Sequence, residues 1–386
     1  MHFPGTARQG RCATKQSPIV WDCFVGKNTL LAMTVAKVRN PMTEELLYYT
    51  DYLELDKILG SQHPKSNEQT DEMLFIIIHQ AYELWFKMVI HELDQVRRIF
   101  DTDNVQDNTG DMSIAVHKLK RVVKIFEVVN RQVDILESMT PMDFLEFRDL
   151  LVPSSGFQSL QFRIIEAKLG LKMEQRYKAN YYKNTRPGGF NQQDFQTINQ
   201  IESEATLKSL VIKWAERTPF FDESLWRDFQ TKYPQEADEQ KFWSDYKQIY
   251  KNSLSGSVEM RQFDELERIF YKEGLGEFSV GSMRAVLFIM MYRNLPIFHT
   301  PFDLLNTLID IDEMLSQFRY KHMLMARRMI GMRSGTGGTS GAGYLEGALR
   351  QHYIFKELTE VSTFLVERSH LPGLPSAVKE KTSFNA

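Results

Sequence analysis

Two histidines each stand alone on a helix face that is otherwise apolar. In "FRYKHMLMARRMIG", a helical repeat of 100° per residue places His322 beside Phe318 and Met325. In "FIIIHQAYELWF", His79 shares the apolar face of Phe75 in the same way. Imidazole in such a place can ligate a metal or donate and accept hydrogen bonds in a buried site. A core histidine satisfied by a backbone carbonyl would also explain either residue, and the helix pattern alone does not decide between these roles.

Arg148 is a third unusual residue, because its guanidinium falls on an apolar helix face. On a helix that starts at Pro141 it lies beside Phe144, Leu151 and Val152. An unpaired buried charge is very costly, so the guanidinium requires an anion. That anion is either a carboxylate elsewhere in the fold, which would make a salt bridge, or the carboxylate of a ligand.

The predicted helix that carries His322, called the histidine helix below, is followed by a glycine-rich run. The run has six glycines among the thirteen residues from 331 to 343. Its hydroxyl groups belong to Ser334, Thr336, Thr339 and Ser340. The pattern argues against a phosphate-binding loop, because the run follows a helix instead of a strand and contains neither a lysine nor a GxGxxG register. The pattern indicates a flexible segment that can close over a small polar molecule.

The periodicity from Thr43 onward predicts an all-α fold with few strand signals. The predicted helices cover residues 72–100, 114–136, 142–152, 157–169, 196–213, 260–271, 283–293, 301–330 and 344–365. The histidine helix is predicted to start at Thr300 and Pro301. Thr300 would cap the helix, Pro301 fits its first turn, and the Asp303 carboxylate would lie near the positive end of the helix dipole. Residues 43–372 are expected to form a single helical domain, in which about 171–252 is a peripheral helical insertion, and residues 373–386 a C-terminal tail.

The first 42 residues differ in composition from the rest. The first forty contain six lysines or arginines, one acid, Asp22, and no sustained period. A disordered tail, a transit-like peptide and an extension upstream of the true start, with Met33 or Met42 as later starts, all fit this pattern. The segment is therefore taken as a tail or a mis-assigned start.

Composition limits the partners and the compartment. A net charge of -3 at pH 7 gives no basic field for nucleic acid, and no apolar run approaches the length of a membrane span, so neither partner is expected. Both cysteines, Cys12 and Cys23, lie near the start, which fits a reducing compartment. A di-iron site needs two Glu-x-x-His pairs, and only Glu367 and His370 have that spacing.

Four strings carry a family resemblance: "HQAYELWFK", "FRDLLVPSSGFQSLQFR", "FRYKHMLMARRMIG" and "GTGGTSG". In this order and spacing they closely resemble the tryptophan 2,3-dioxygenase family over roughly Glu44 to Pro372. The resemblance implies a haem-binding helical bundle that assembles as a homotetramer, with one haem b per subunit. It also implies a cytoplasmic enzyme.

The resemblance implies a role for each residue around the haem. His322 corresponds to the proximal ligand of the haem iron, and His79 to the distal histidine beside the indole N–H. Phe75 and Phe144 correspond to aromatic walls of the indole pocket. Ser155 corresponds to a residue near the haem edge.

The resemblance also implies how the amino-acid part of the substrate is held. Arg148 corresponds to the arginine that pairs with the substrate carboxylate, and Thr336 to the threonine that holds the ammonium and carboxylate. A neighbouring subunit would complete the pocket with Tyr49, Tyr52 and Leu53. Activity would then depend on the homotetramer.

The implied reaction is cleavage of the indole C2–C3 bond of L-tryptophan by O2, which gives N-formylkynurenine and begins the kynurenine pathway. A related haem dioxygenase with broader indoleamine specificity is a second hypothesis. The presence of both Arg148 and Thr336 argues against it, because together they would bind the charged carboxylate and ammonium groups of a free amino acid. A haem sensor, or a helical scaffold without catalysis, is a third.

Overall fold

The computed structural model describes residues 47–66, 69–102, 110–172, 176, 189–217, 239–335, 346–347, 349 and 351–374. Within these ranges the chain is mostly helical and forms no strand, apart from an isolated bridge between Leu275 and Phe278. The predicted all-α fold class is confirmed.

The chain divides into two compact units, one that ends at Gly60 and one that begins at Ser61. In the described part of the first unit, α1 (Tyr49–Tyr52) and α2 (Leu55–Leu59) bury no residue. The predicted boundary at residues 42 and 43 lies outside the described residues, and the predicted domain division stays a prediction.

Three long helices form the centre of the second unit: α3 (Thr70–Phe100), α4 (Gly110–Leu136) and α12 (Pro296–Ile330). They pack against one another along faces of buried aliphatic and aromatic side chains. By length and apolar composition α3 could cross a membrane. It nevertheless packs against α4 and against two shorter helices, Leu160–Leu169 and Leu207–Glu216, and core helices commonly meet the same two criteria.

Shorter helices surround these three. They are α5 (Pro141–Arg148), α6 (Leu160–Leu169), α7 (Gln192–Glu202), α8 (Leu207–Glu216), α9 (Glu239–Ser253), α10 (Ser257–Glu267), α11 (Val280–Met291) and α13 (Lys356–Glu360). 3₁₀ turns cover Asp149–Leu151, Gly156–Gln158, Val361–Phe364 and Arg368–His370, and a π-helix covers Arg268–Glu273. Two of these shorter helices, α5 and α6, have clear start signals. Thr140 and Asp143 form a reciprocal capping box for α5, and the Ser159 hydroxyl caps α6.

The predicted start of the histidine helix at Pro301 is wrong. The helix begins at Pro296, and Pro301 lies inside it, in the second turn. Pro296 occupies a first-turn position that needs no N–H, whereas Pro301 removes only one hydrogen bond, to the carbonyl four residues earlier. Two such prolines in one helix make the later one a misleading start signal.

Other predicted helices are shorter or divided. The predicted helix 196–213 is two helices, because Ser203 ends α7 and the Thr206 hydroxyl caps α8 by accepting from the Ser209 N–H at 3.1 Å. The predicted helix 142–152 ends as α-helix at Arg148 and continues as a 3₁₀ turn. The predicted helix 344–365 is interrupted before Lys356, where the Asp312 carboxylate accepts the backbone N–H groups that a helix would use, those of Ile354 and Phe355.

Residues 351–374, the C-terminal segment, are fastened to the helices before them by side chains. The buried Lys208 ammonium pairs with Glu357 at 2.9 Å. Hydroxyl groups of largely buried tyrosines donate to backbone carbonyls, in the pairs Tyr246 with Phe364, Tyr250 with Thr363 and Tyr292 with Pro372. With the Asp312 bonds, these contacts fix the segment against α8, α9, α11 and α12.

Candidate active site

A cavity of about 250 Å³ lies in the second unit between α3, α5, α6 and α12. Its wall is mainly aromatic and aliphatic, with rings from Phe75, Tyr82, Phe86, Phe144, Phe162 and Phe318. Both lone histidines line it, His79 from α3 and His322 from α12. The two histidines that the helix pattern singled out therefore face one apolar space.

His79 is fixed by its own helix. Its Nδ1 lies 2.7 Å from the Phe75 carbonyl oxygen, and its ring lies 4.1 Å from the Phe75 ring, centroid to centroid. A carbonyl can only accept, so Nδ1 carries the proton and Nε2 is left as an acceptor. Burial lowers the pKa of His79, against the opposing effects of the Phe75 bond and the Glu83 charge. His79 is thus a neutral, oriented acceptor.

His322 lies on the cavity side of α12, while Arg327 and Arg328 on the opposite side are exposed. The Phe318 ring lies 6.0 Å away, and no hydrogen bond joins His322 to any residue in the described ranges. Burial lowers the pKa of His322 to about 4, and His79 adds to the effect. The imidazole is therefore neutral, the form that ligates metals.

Arg148, at the end of α5, also lines the cavity. Its Nη2 donates to the Ser334 carbonyl, and its Nε is buried without a hydrogen-bond partner among the described residues. No carboxylate in the described ranges pairs with Arg148, so the salt-bridge hypothesis has no support there. The structure differs from the predicted neighbours in one respect, since Val152 is exposed and lies beyond the end of the helix.

Aromatic side chains from α3 and α5 meet beside His79. The Phe75 ring lies 5.9 Å from Phe144 and 5.7 Å from Phe147, and Phe144 meets Phe147 edge-on at 5.5 Å. Ser155 lines the same cavity, where its hydroxyl caps a 3₁₀ turn by accepting from the Phe157 N–H at 3.3 Å. These side chains give the cavity a flat apolar wall with few polar atoms.

The remaining predicted site residues lie elsewhere. Thr336 is outside the described residues, although its neighbour Gly335 lines the cavity. Tyr49, Tyr52 and Leu53 are exposed in the first unit, the two tyrosines at 70% and 69%.

Sequence reasoning missed several charged or titratable residues of the cavity wall, among them Arg163, Glu166, Arg319 and His352. Glu166 is fully buried and pairs with Arg163 at 2.8 Å and Arg319 at 2.9 Å. A usable signal existed, because Arg163 and Glu166 stand three residues apart in the otherwise apolar stretch "FRIIEAKLG". The contribution of His352 comes from a distant part of the chain and has no local signal.

The donor set of the cavity fits a haem. The described residues contain no group of three or more His, Cys, Asp or Glu side chains placed to hold a metal ion. Among the imidazoles of the cavity wall, His322 is neutral and has no hydrogen bond to the described part of the chain, and it is set among aromatic rings with guanidinium groups on the same wall. One imidazole and an apolar slot suit an iron already held by a macrocycle.

Comparison with known proteins decides the family. The sequence model of the tryptophan 2,3-dioxygenase family matches residues 34–365. The chain belongs to the tryptophan 2,3-dioxygenase family. It is 41% identical over 362 residues to the tryptophan 2,3-dioxygenase of Bdellovibrio bacteriovorus, covering 88% of this chain and 98% of that relative. It is 40% identical over 359 residues to the tryptophan 2,3-dioxygenase of Dictyostelium discoideum, covering 88% of each.

Membership of the tryptophan 2,3-dioxygenase family makes the chain an enzyme, a dioxygenase of tryptophan catabolism. The tryptophan 2,3-dioxygenase of Anopheles gambiae is similarly related, with 38% identity over 356 residues and coverage of 88% of this chain and 90% of the relative. All four strings that resemble the family supply residues of the cavity wall, through His79, Arg148, His322 and Gly335.

Proposed function

We propose that the chain is a haem-dependent enzyme that cleaves the indole C2–C3 bond of L-tryptophan with O2. The product would be N-formylkynurenine, in the first step of the kynurenine pathway. The observation that carries the proposal is the apolar cavity in which two neutral histidines face one space beside the guanidinium of Arg148.

Haem b, one per subunit, would be held by His322 as the axial ligand of its iron. When bound, it supplies the iron chemistry that allows O2 to react with an indole. The chain supplies a dry site around it, because the rings of α3, α5 and α12 line the cavity and leave few polar atoms for water. Ser155 would lie near the haem edge, where its hydroxyl is already engaged in capping.

The indole would pack against Phe75 and Phe144. The His79 Nε2 would accept the indole N–H, because Nδ1 is committed to the Phe75 carbonyl. His79 would therefore orient the substrate and would not need to remove its proton. Holding the ring in one position converts a bimolecular encounter into an oriented one, which can account for a large part of a rate enhancement.

The substrate carboxylate would bind Arg148. In the structure Arg148 donates to the uncharged Ser334 carbonyl, and a carboxylate makes a stronger, charge-assisted bond that can replace it. Thr336, two residues after Ser334, would hold the ammonium and carboxylate.

A homotetramer would complete each pocket with Tyr49, Tyr52 and Leu53 of a neighbouring subunit. Support comes from the exposure of these apolar side chains in α1 and at its C-terminal end. Exposed apolar groups close together are typical of surfaces that another chain covers. The proposed partners are thus L-tryptophan and further copies of this chain, without nucleic acid or membrane, in the cytoplasm.

Truncation tests the shared pocket. A chain that starts after about Val35 should keep its assembly and activity, whereas a chain that starts after Leu53 should lose activity although it stays helical. Sedimentation, circular dichroism and turnover of the two truncated chains measure these properties. Full turnover by the shorter chain would remove neighbouring-subunit residues from the pocket.

Absorption spectroscopy and product analysis test the proposed reaction. The purified protein should bind haem and show a Soret band that shifts when L-tryptophan is added after reduction. It should then form N-formylkynurenine under O2, detected by its absorbance and mass. Absence of haem uptake would indicate a helical scaffold, and haem uptake with no product would indicate a sensor.

A further inference from the structure

Gly156 lies on the wall of the cavity, at the start of the 3₁₀ turn that covers Gly156–Gln158. A side chain at this position would meet no obstacle. A Cβ atom at Gly156 would have no heavy atom within 4 Å, apart from those of the adjoining chain. The packing of the protein therefore gives no reason for a glycine here.

The backbone of Gly156 does not require a glycine either. Its φ is not positive, in contrast to the φ of Gly170, Gly274 and Gly331, and a 3₁₀ turn is open to residues with a side chain. Glycine in such a position is unfavourable, because it loses more conformational freedom on folding than alanine does. The other common use of glycine is the close approach of a ligand to the backbone.

Freedom of movement does not explain this glycine, because the chain is held on both sides of it. Before it, the Ser155 N–H donates to the Gln158 side chain at 3.0 Å, and the Ser155 hydroxyl accepts from the Phe157 N–H at 3.3 Å. After the turn, the Ser159 hydroxyl donates to the Glu83 carboxylate at 2.6 Å. The turn is thus a fixed part of the cavity wall.

The wall that contains Gly156 adjoins the groups proposed to hold the substrate. Glu83, which anchors this wall, lies one turn after His79 on α3, and its carbonyl accepts from the Gln161 side chain at 2.8 Å. On the other side, the turn follows α5, which ends at Arg148. A substrate whose indole N–H meets His79 and whose carboxylate meets Arg148 would therefore lie beside this wall.

We infer that Gly156 is a specificity-determining residue, whose missing side chain leaves room for the benzene ring of the indole to pack against the backbone. The inference rests on the proposed function, in which L-tryptophan occupies the cavity. A flat ring can approach a glycine more closely than it can approach a residue with a Cβ atom. A side chain at position 156 would take that room away.

The edge of haem is a second flat group with the shape to fill this space. The contacts favour the substrate, because the wall of Gly156 is hydrogen-bonded to α3, the helix that carries the proposed indole partner His79. The two occupants are distinguished by the last of the experiments below.

Gly156→Ala and Gly110→Ala form a matched pair for stability. Gly110 begins α4 away from the cavity wall, and it too has no positive φ and no heavy atom close to its Cβ position. Without haem, both variants should unfold at the wild-type temperature or about 1–2 °C above it, because alanine has less freedom to lose. If Gly156→Ala fails to fold, or unfolds at a clearly lower temperature, the glycine serves the structure and the inference is overturned.

Turnover of L-tryptophan should separate the same two variants. Gly156→Ala should lower kcat/KM by roughly tenfold, as expected when one methyl group crowds a binding pocket, and its haem content should be normal. Gly156→Val should lower kcat/KM further, and Gly110→Ala should match the wild type. An unchanged kcat/KM in Gly156→Ala overturns the inference.

Tryptophans that carry one methyl group at position 4, 5, 6 or 7 of the indole test specificity. Gly156→Ala should reduce the use of one of them, or of two with adjacent positions, by about threefold or more beyond its effect on L-tryptophan. The reason is that the new methyl group contacts one place on the ring. Equal losses for every substrate overturn the specificity role.

Deuterohaem, which has hydrogen atoms in place of the two vinyl groups of haem b, tests the haem edge. Haem-free Gly156→Ala should bind both haems with wild-type affinity. Weaker binding of haem b that deuterohaem restores would assign the space to the cofactor and overturn the inference. A wild-type protein that forms no N-formylkynurenine refutes the proposed function. One that forms it, while Gly156→Ala behaves like Gly110→Ala, refutes this inference alone.

Discussion

The α12 wall of the cavity and the wall formed by α3 and α5 hold their polar groups in different ways. On α12, His322 has no hydrogen bond within the described residues, and Arg319 is held by a buried carboxylate. On α3 and α5, the His79 ring is fixed by a backbone carbonyl, and Arg148 is held by one. An unbonded imidazole beside a fixed ion suits a permanent ligand, and an oriented acceptor beside a displaceable guanidinium suits a transient one. We expect variants on the two walls to fail in different ways.

His322→Ala should have the largest effect, because it removes the proposed bond between the protein and the haem iron. The variant should purify without stably bound haem and show no turnover. Haem content measured by the pyridine haemochrome assay checks this. A variant with full haem content and an unchanged Soret band would show that another residue is the ligand.

Arg148→Leu should spare the cofactor and weaken the use of L-tryptophan. The expected loss in kcat/KM corresponds to roughly 2–5 kcal/mol, the usual cost of removing one partner of a desolvated charge pair. Tryptamine, which lacks the carboxylate, should be a poor substrate of the wild type and lose little more in the variant. Comparing two enzymes with two substrates measures the coupling itself. Equal losses for both substrates, or failure to fold, would make Arg148 a structural residue.

His79→Phe should have a smaller effect on the same wall. The ring can still pack on Phe75, so haem content should be normal. Loss of one hydrogen bond to the indole N–H should cost about 0.5–1.5 kcal/mol in kcat/KM. An obligatory general base would cost roughly 10²–10⁴-fold instead. Steady-state kinetics with L-tryptophan and with 1-methyltryptophan, which has no indole N–H, distinguishes the two roles.

Tyr82→Phe should have the smallest effect, and on stability. Tyr82 lies on the cavity wall next to Phe318, and its buried hydroxyl has no hydrogen-bond partner among the described residues. Removing that hydroxyl should leave the free energy of unfolding unchanged or raise it by about 1 kcal/mol. Tyr292→Phe is the matched control and should lose about 1 kcal/mol, because its hydroxyl donates to the Pro372 carbonyl at 2.6 Å. Thermal unfolding of both haem-free variants measures the difference, and destabilisation by Tyr82→Phe would indicate an unseen partner.

The sequence predicts some of this cavity because helix periodicity is local. A repeat of 100° per residue identifies the apolar faces that carry His79 and His322, and both line the cavity. It does not predict which elements meet, so Glu166 could not be connected with Arg319, 153 residues later in the chain. Start signals are also local, and a second proline made Pro301 resemble the start of a helix that begins at Pro296.

The carbonyl that holds Arg148 was unpredictable for the same reason. It belongs to Ser334, 186 residues later in the chain. The pattern of side chains in a sequence does not indicate which backbone carbonyl will accept a hydrogen bond. The roles that family resemblance assigns to the site residues, those of His322, His79 and Arg148 as much as those of Thr336, Tyr49, Tyr52 and Leu53, remain predictions.

The fastening of the C-terminal segment has a consequence for proteolysis. The side chains that hold residues 351–374 in place belong to residues that precede residue 331. These contacts are non-covalent, so they do not depend on the peptide bonds that connect residue 331 to residue 351. A protease that cut the backbone between residues 336 and 345 would thus leave two fragments bound to each other. By the same reasoning, a synthetic peptide of residues 351–374 should complement a chain that stops before residue 336, and so return His352 to its place on the cavity wall.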